Sequence, residues 1–208
     1  MKNYLTLEKE YEGITVIERS KFICRIKPIK DENAAKTYLA DIIKKEVGAT
    51  HNCYAYILEG ETVFKFSDDG EPHGTAGQPM LEVLKNKNLK NVIAVVSRYF
   101  GGIKLGTGGL SRAYSGAVSD CLKNAELVYK TFATVFMAAF DYNVYSKLKK
   151  IFDKDGVKVF STEYKNGVEV IFAVAADIKE DFISGLCSAA NGKVILSEKY
   201  SEYIAFSG

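Results

Sequence analysis

The stretch VIAVVSRYFGGIKLGTGGLSRAYSGAV, Val92 to Val118, decides how this chain is read. It opens on an apolar run, and the segment 91–100 predicts a strand buried on both faces. It closes on a helical pattern, SRAYSGAVSDCLKNA, over 111–125. Between them stand Gly101, Gly102, Gly106, Gly108 and Gly109, accompanied by Arg98, Lys104 and Arg112, with no acidic residue. Glycine loses more backbone freedom on folding than any other residue, so such density marks a backbone that other residues cannot supply. A strand, a glycine loop and a helix starting near Gly109 bring unpaired N–H groups and a positive helix end to a place free of Cβ atoms. That is a site for phosphate, sulfate or carboxylate. These eight residues form the candidate anion- and nucleic-acid-binding set. The alternative is a tight structural turn whose Arg98 and Arg112 pair with acids. The stretch fits neither the phosphate loop of nucleotide triphosphatases nor the dinucleotide fingerprint, which argues against both enzyme classes.

A second polar constellation lies upstream in SDDGEPHGTAGQP, residues 67–79. Asp68, Asp69, Glu71 and Thr75, with His51, form the second side of the candidate site. Carboxylates and a histidine can do acid–base work or hold a metal. The spacing is not that of a calcium loop, and carboxylates at adjacent turn positions point apart. The structural reading has Asp68 and Asp69 capping turns, Glu71 pairing with Arg98 or Arg112, and Thr75 N-capping the next helix. No residue is assigned as catalytic, and no metal or cofactor is expected. Of the aromatics flanking the loop, Tyr99, Phe100 and Tyr114, one or two could stack on bases. Phe100 is expected in the core.

Working outward, the chain has 208 residues, 47% hydrophobic and 26% charged, with a formal net charge of +2, so affinity for nucleic acid must come from a local patch. Cys24, Cys53, Cys121 and Cys187 form no C-x-x-C pair and sit in apolar runs, as buried thiols of a reducing compartment do. MKNYLTLEKEYEG lacks an apolar core, and no run approaches the roughly 18 apolar residues of a membrane span. A cytoplasmic protein without membrane association is expected. Residues 12–29 read as one or two strands, Asp31 as the cap of a helix ending before Gly48, and 52–58 with 62–67 as a hairpin around Glu59–Glu61. Residues 80–88 read as a helix.

Past Ala125 the pattern restarts. Strand 131–140, helix 143–156 closed by Gly156, strands 157–164 and 168–176 about an Asn-Gly turn, a helix from Asp177 to Ala190 and a last strand from Val194 give β-α-β-β-α-β. That order matches the ferredoxin-like unit. The fold class is α+β in two domains, 1–127 and 128–208.

SDDGEPHGTAGQPML, the opening stretch, and THNCYAY at 50–56 together resemble the signature of the YigZ/IMPACT family. The resemblance covers most of residues 1–125, with weaker likeness beyond. It implies a first domain with the α/β fold of domain IV of elongation factor G and of a domain in a small-subunit ribosomal protein. It implies a ferredoxin-like second domain similar to domain V of that factor. Eukaryotic relatives regulate translation by competing for the activator of a stress kinase, but they lack the second domain. For bacterial members, binding to RNA or the ribosome is an inference from fold likeness. The family carries a small residue where this chain has His73, which counts against an essential His73. Three functions follow. The first is a translation-linked regulator gripping RNA or the ribosome by the basic glycine loop. The second is an enzyme for a small phosphorylated or carboxylated substrate. The third is a regulator of a translation-related protein, with a structural loop.

Overall fold

The computed structural model describes residues 3–59 and 63–206. Over these the fold is α+β, with two antiparallel sheets and five α-helices. The chain divides into two compact units, one of them Tyr4–Val128 and the other made of the residues from Tyr129 on together with those up to Asn3. Among the described residues no helix is long and apolar enough to cross a membrane.

The first unit contains β1 (Tyr4–Leu7), β2 (Tyr11–Ile17), β3 (Ser20–Pro28), α1 (Glu32–Lys45), β4 (His51–Ile57), β5 (Phe64–Ser67), α2 (Gly77–Asn86), β6 (Val92–Tyr99) and α3 (Gly106–Lys123). Its sheet runs β2-β3-β6-β4-β5. Strand β6 is central, and its period of two serves both faces. Val92, Ala94 and Val96 join the core beneath α2 and α3, whereas Ile93 and Val95 pack with Ala35, Tyr38 and Ile42 of α1. Burial on both faces explains its unbroken apolar run.

Local chemistry accounts for some boundaries. Asp31 caps α1 by accepting from the Ala34 N–H at 2.8 Å. Strands β2 and β3 turn at Glu18 and Arg19, whose φ values of 45° and 65° carry no Asn or Gly signal. This is why 12–29 could be read as a single strand. The tip of the β4–β5 hairpin, Gly60 and Glu61, and the predicted strand residue Thr62 lie outside the described residues. Helix α2 starts three residues before its predicted Met80, because Pro79 is tolerated in a first turn. Helix α3 starts at Gly106 rather than near Gly109, so three of the loop glycines belong to its first turn.

The second unit comprises β7 (Leu127–Phe140), α4 (Tyr142–Leu148), β8 (Val157–Tyr164), β9 (Val168–Ala175), α5 (Lys179–Ala189) and β10 (Val194–Ala205). Its strands run in the order β10-β7-β9-β8. Phe136, Phe140, Tyr145, Phe152, Phe172 and Phe182 build an aromatic-rich core under α4 and α5. The predicted helix 143–156 is corrected: α4 ends at Leu148, and a 3-10 turn over Lys149–Asp153 follows, still burying Phe152. Asp177 does not cap α5, whose N-cap is Ile178 with no side-chain bond.

Candidate anion and nucleic-acid interface

Cross-strand register sets one side of the site. Phe22 of β3, Arg98 of β6 and His51 of β4 form one row. Alternation from Val96 turns Arg98 toward α3, and there it is 5% exposed. Its Nη1 donates to Glu71 Oε1 at 2.6 Å, its Nη2 to Ser20 Oγ at 3.3 Å, and its guanidinium lies 5.5 Å from the Phe22 ring centroid. Glu71 Oε1 also accepts from the Tyr114 hydroxyl at 2.8 Å, with His51 Nε2 3.9 Å away. Of the two partners expected for Glu71, the structure takes Arg98, and the pair is buried. Burial, with Cys53 and Glu71 adjoining, pushes the Tyr114 phenol well above its usual range. Burial pushes the Cys53 thiol up to about 12, so near neutral pH it keeps its proton and is no nucleophile.

The acidic turn is closed on itself. Asp68 Oδ2 accepts from Gly74 N at 2.8 Å, and Oδ1 from Ala76 N at 3.0 Å and Gly77 N at 2.8 Å. Burial alone would raise this carboxyl, but the Gly74, Gly77 and Ala76 donors outweigh it and hold Asp68 below the usual carboxylate range. Asp68 therefore caps α2 from a distance. Thr75, expected in that role, is not the cap: its hydroxyl donates to the Pro72 carbonyl at 2.6 Å. Asp69 Oδ2 accepts from Asn52 N at 2.6 Å, and its carbonyl accepts from His51 Nδ1 at 2.7 Å. His73 is fully exposed.

The glycine loop is open. Gly101 N donates to Ser20 Oγ at 3.1 Å, and a Cβ on Gly101 would collide with the Arg19 carbonyl and Ser20 nitrogen. Gly102 and Gly106 have φ of +85° and +69°, backbone that L side chains rarely adopt. Helix α3 has Leu105 at its N-cap, no side-chain cap and no acid in its first turn. Lys104 and Arg112 are exposed, and among the described residues neither forms an ion pair. Arg112 Nη1 lies 3.5 Å from where a Cβ on Gly108 would stand, so the guanidinium leans over the first turn. A cleft of about 510 Å³ opens here, lined by Ile17 and Glu18 of the β2–β3 turn, Ile103, Lys104, Leu105, Gly109, Arg112 and Ala113.

The predicted set thus splits. Gly101, Gly102, Lys104, Gly106, Gly108, Gly109 and Arg112 share the loop and helix start, while Arg98 belongs with Glu71 in the interior. Asp68, Asp69, Thr75 and His51 are held in internal bonds. Phe100, expected in the core, is 49% exposed, and the buried ring is Tyr114. The sequence reading missed Ile17, Glu18 and Ser20. Ile17 pairs with Ser20 across the β2–β3 turn, and the β3–β6 ladder begins one residue later at Lys21, so they could be found only once that turn was known.

The Impact N-terminal domain family model matches residues 18–122, which takes in the acidic turn, β6, the loop and α3. A Bacillus subtilis relative called IMPACT family member YvyE is 37% identical over 98% of this chain and 94% of its own length. The chain belongs to the IMPACT family. A crystal structure described only as that of a hypothetical protein superposes with a TM-score of 0.64, at 30% identity, over 94% of this chain and 97% of that one. The rat Protein IMPACT is 36% identical over 55% of this chain and 35% of its own. The buried partners of Arg98 named above, Ser20, Phe22 and Glu71, and the Tyr114 that shares Glu71 with it, fall within the IMPACT match.

Proposed function

We propose that this IMPACT-family chain is a translation-linked binding protein that grips RNA phosphates at the start of α3. The observation that carries this reading is an 18-residue helix whose exposed N-terminus has neither a side-chain cap nor an acid in its first turn, with Lys104 and Arg112 beside it and, among the described residues, without ion pairs. Helix N–H groups, the helix dipole and two cations all favour an anion there. Arg98 is left out of the contact set, because Glu71 already neutralises it. The resemblance to elongation factor G domain IV in residues 1–127, and to domain V in 128–208, supports a role near RNA. The strand order β10-β7-β9-β8 supports the ferredoxin-like reading of the second domain.

A salt titration of RNA binding tests the proposal. The logarithm of affinity should fall with the logarithm of salt by about 0.7 per single-strand phosphate neutralised, and Arg112→Ala should flatten that slope by roughly one contact. Gly102→Val should weaken binding with no charge lost, because valine resists the φ of +85°. Salt-independent binding, unchanged in both variants, would place the RNA elsewhere.

A further inference from the structure

We propose a second nucleic-acid contact, on the β7–β10 unit, that takes single-stranded RNA. It goes beyond the loop reading and rests on different residues. Tyr145 and Leu148 of α4 are buried, whereas Tyr142, Ser146 and Lys147 of α4 and Lys149 and Lys150 of the 3-10 turn after it are exposed. Tyr142 stacks on Tyr164 at the end of β8, with centroids 6.5 Å apart and planes 19° from parallel. Its hydroxyl donates to the Lys165 carbonyl at 2.6 Å, which fixes the ring. Tyr164 is fixed in turn by an edge contact with buried Tyr145 at 6.1 Å. Yet Tyr142 is 49% exposed and Tyr164 59%. Two oriented rings therefore keep much of their area toward water.

The neighbouring charge points to the occupant. Lys147, Lys149, Lys150 and Lys154 are exposed and, among the described residues, make no ion pair. Asp153 and Asp155 interleave with them, and Glu163 is already held by Lys165 at 2.6 Å. Fixed flat rings beside unpaired lysines suit a base that stacks while its phosphates meet the cations. A duplex hides its base faces, and an acidic polypeptide has no use for the rings, so unpaired RNA fits best.

The test is ultraviolet crosslinking of the full chain to a uridine-only RNA of roughly 15 nucleotides, followed by peptide mapping. Crosslinks should fall on peptides holding Tyr142 or Tyr164, and should persist in Arg112→Ala, which weakens only the loop contact. Replacing both tyrosines with Leu should weaken binding about tenfold, whereas Tyr142→Phe, which keeps the ring and loses only its tether to the Lys165 carbonyl, should weaken it about twofold at most. Replacing Lys149 and Lys150 with Ala should flatten the salt slope by about 1.4. Crosslinks confined to residues 101–118 would overturn the proposal. So would parent-like binding by the double-tyrosine variant, or competition by hairpin RNA or polyglutamate as strong as by unpaired RNA.

Discussion

The acidic turn after β5 and the glycine loop after β6 each feed a helix, and they treat its N-terminus in opposite ways. Asp68 reaches back to the Ala76 and Gly77 N–H groups, so α2 receives its anion from within the chain. Helix α3, nearly twice as long, receives none. The same backbone physics is closed off in one place and left open in the other. The difference teaches that basic residues near a glycine loop are not equivalent: among the described residues Arg98 has an internal carboxylate, and Arg112 does not.

The comparison breaks most visibly if its closed side is cut. Glu71→Ala leaves the Arg98 guanidinium buried without its anion and should cost about 3–5 kcal/mol in urea unfolding. A loss below about 1 kcal/mol would show that water reaches Arg98 and that this side is open too. Asp68→Asn should cost roughly 1–2 kcal/mol, the scale of a lost helix cap. Because the Asp68 pKa is depressed in the folded chain, its stabilisation is present above the ordinary carboxylate range and disappears as pH falls through the lowered value. Unfolding followed from neutral pH into acid should therefore show a component of acid destabilisation that Asp68→Asn lacks.

The open side can be sharpened by closing it. Thr107→Glu places an acid in the exposed first turn of α3 and should add about 0.3–1 kcal/mol of stability while weakening RNA binding. A gain in stability with affinity unchanged would separate the helix end from the binding site. Arg112→Ala should shift stability by no more than about 0.5 kcal/mol, since the residue is exposed and, among the described residues, without an ion pair. A larger change in its unfolding curve would assign Arg112 a structural partner.

Much of this arrangement was legible before the structure. Strand β6 announced itself by an apolar run, α1 by Asp31 and Ala34 at cap spacing, and the β8–β9 hairpin by Asn-Gly. These are local signals, and local chemistry decided them. The β2–β3 turn was not legible, because Glu18 and Arg19 adopt positive φ without being Asn or Gly, and the close approach of Gly101 to Arg19 and Ser20 is a long-range contact. Nor was the split between Arg98 and Arg112. Both sit in one basic stretch, and only register across β3, β6 and β4 shows that the first faces Tyr114 and Glu71. Thr75 looked like a cap by position, but Asp68, seven residues earlier, holds the stronger acceptor. The extent of α4 failed for a related reason: the spacing of Leu148 and Phe152 is served equally by a helix or by a 3-10 turn that buries the same ring.

The central claim is that α3, and not α2, takes its anion from outside. Backbone amide resonances followed while an unlabelled RNA oligonucleotide is titrated into the isotope-labelled chain address it directly. The N–H signals of Gly102, Gly106, Thr107 and Gly108 should move in a saturable, salt-sensitive way, while those of Gly74, Ala76 and Gly77, already bonded to Asp68, stay in place. Shifts at Gly74, Ala76 and Gly77 with the α3 glycines unmoved would contradict the account.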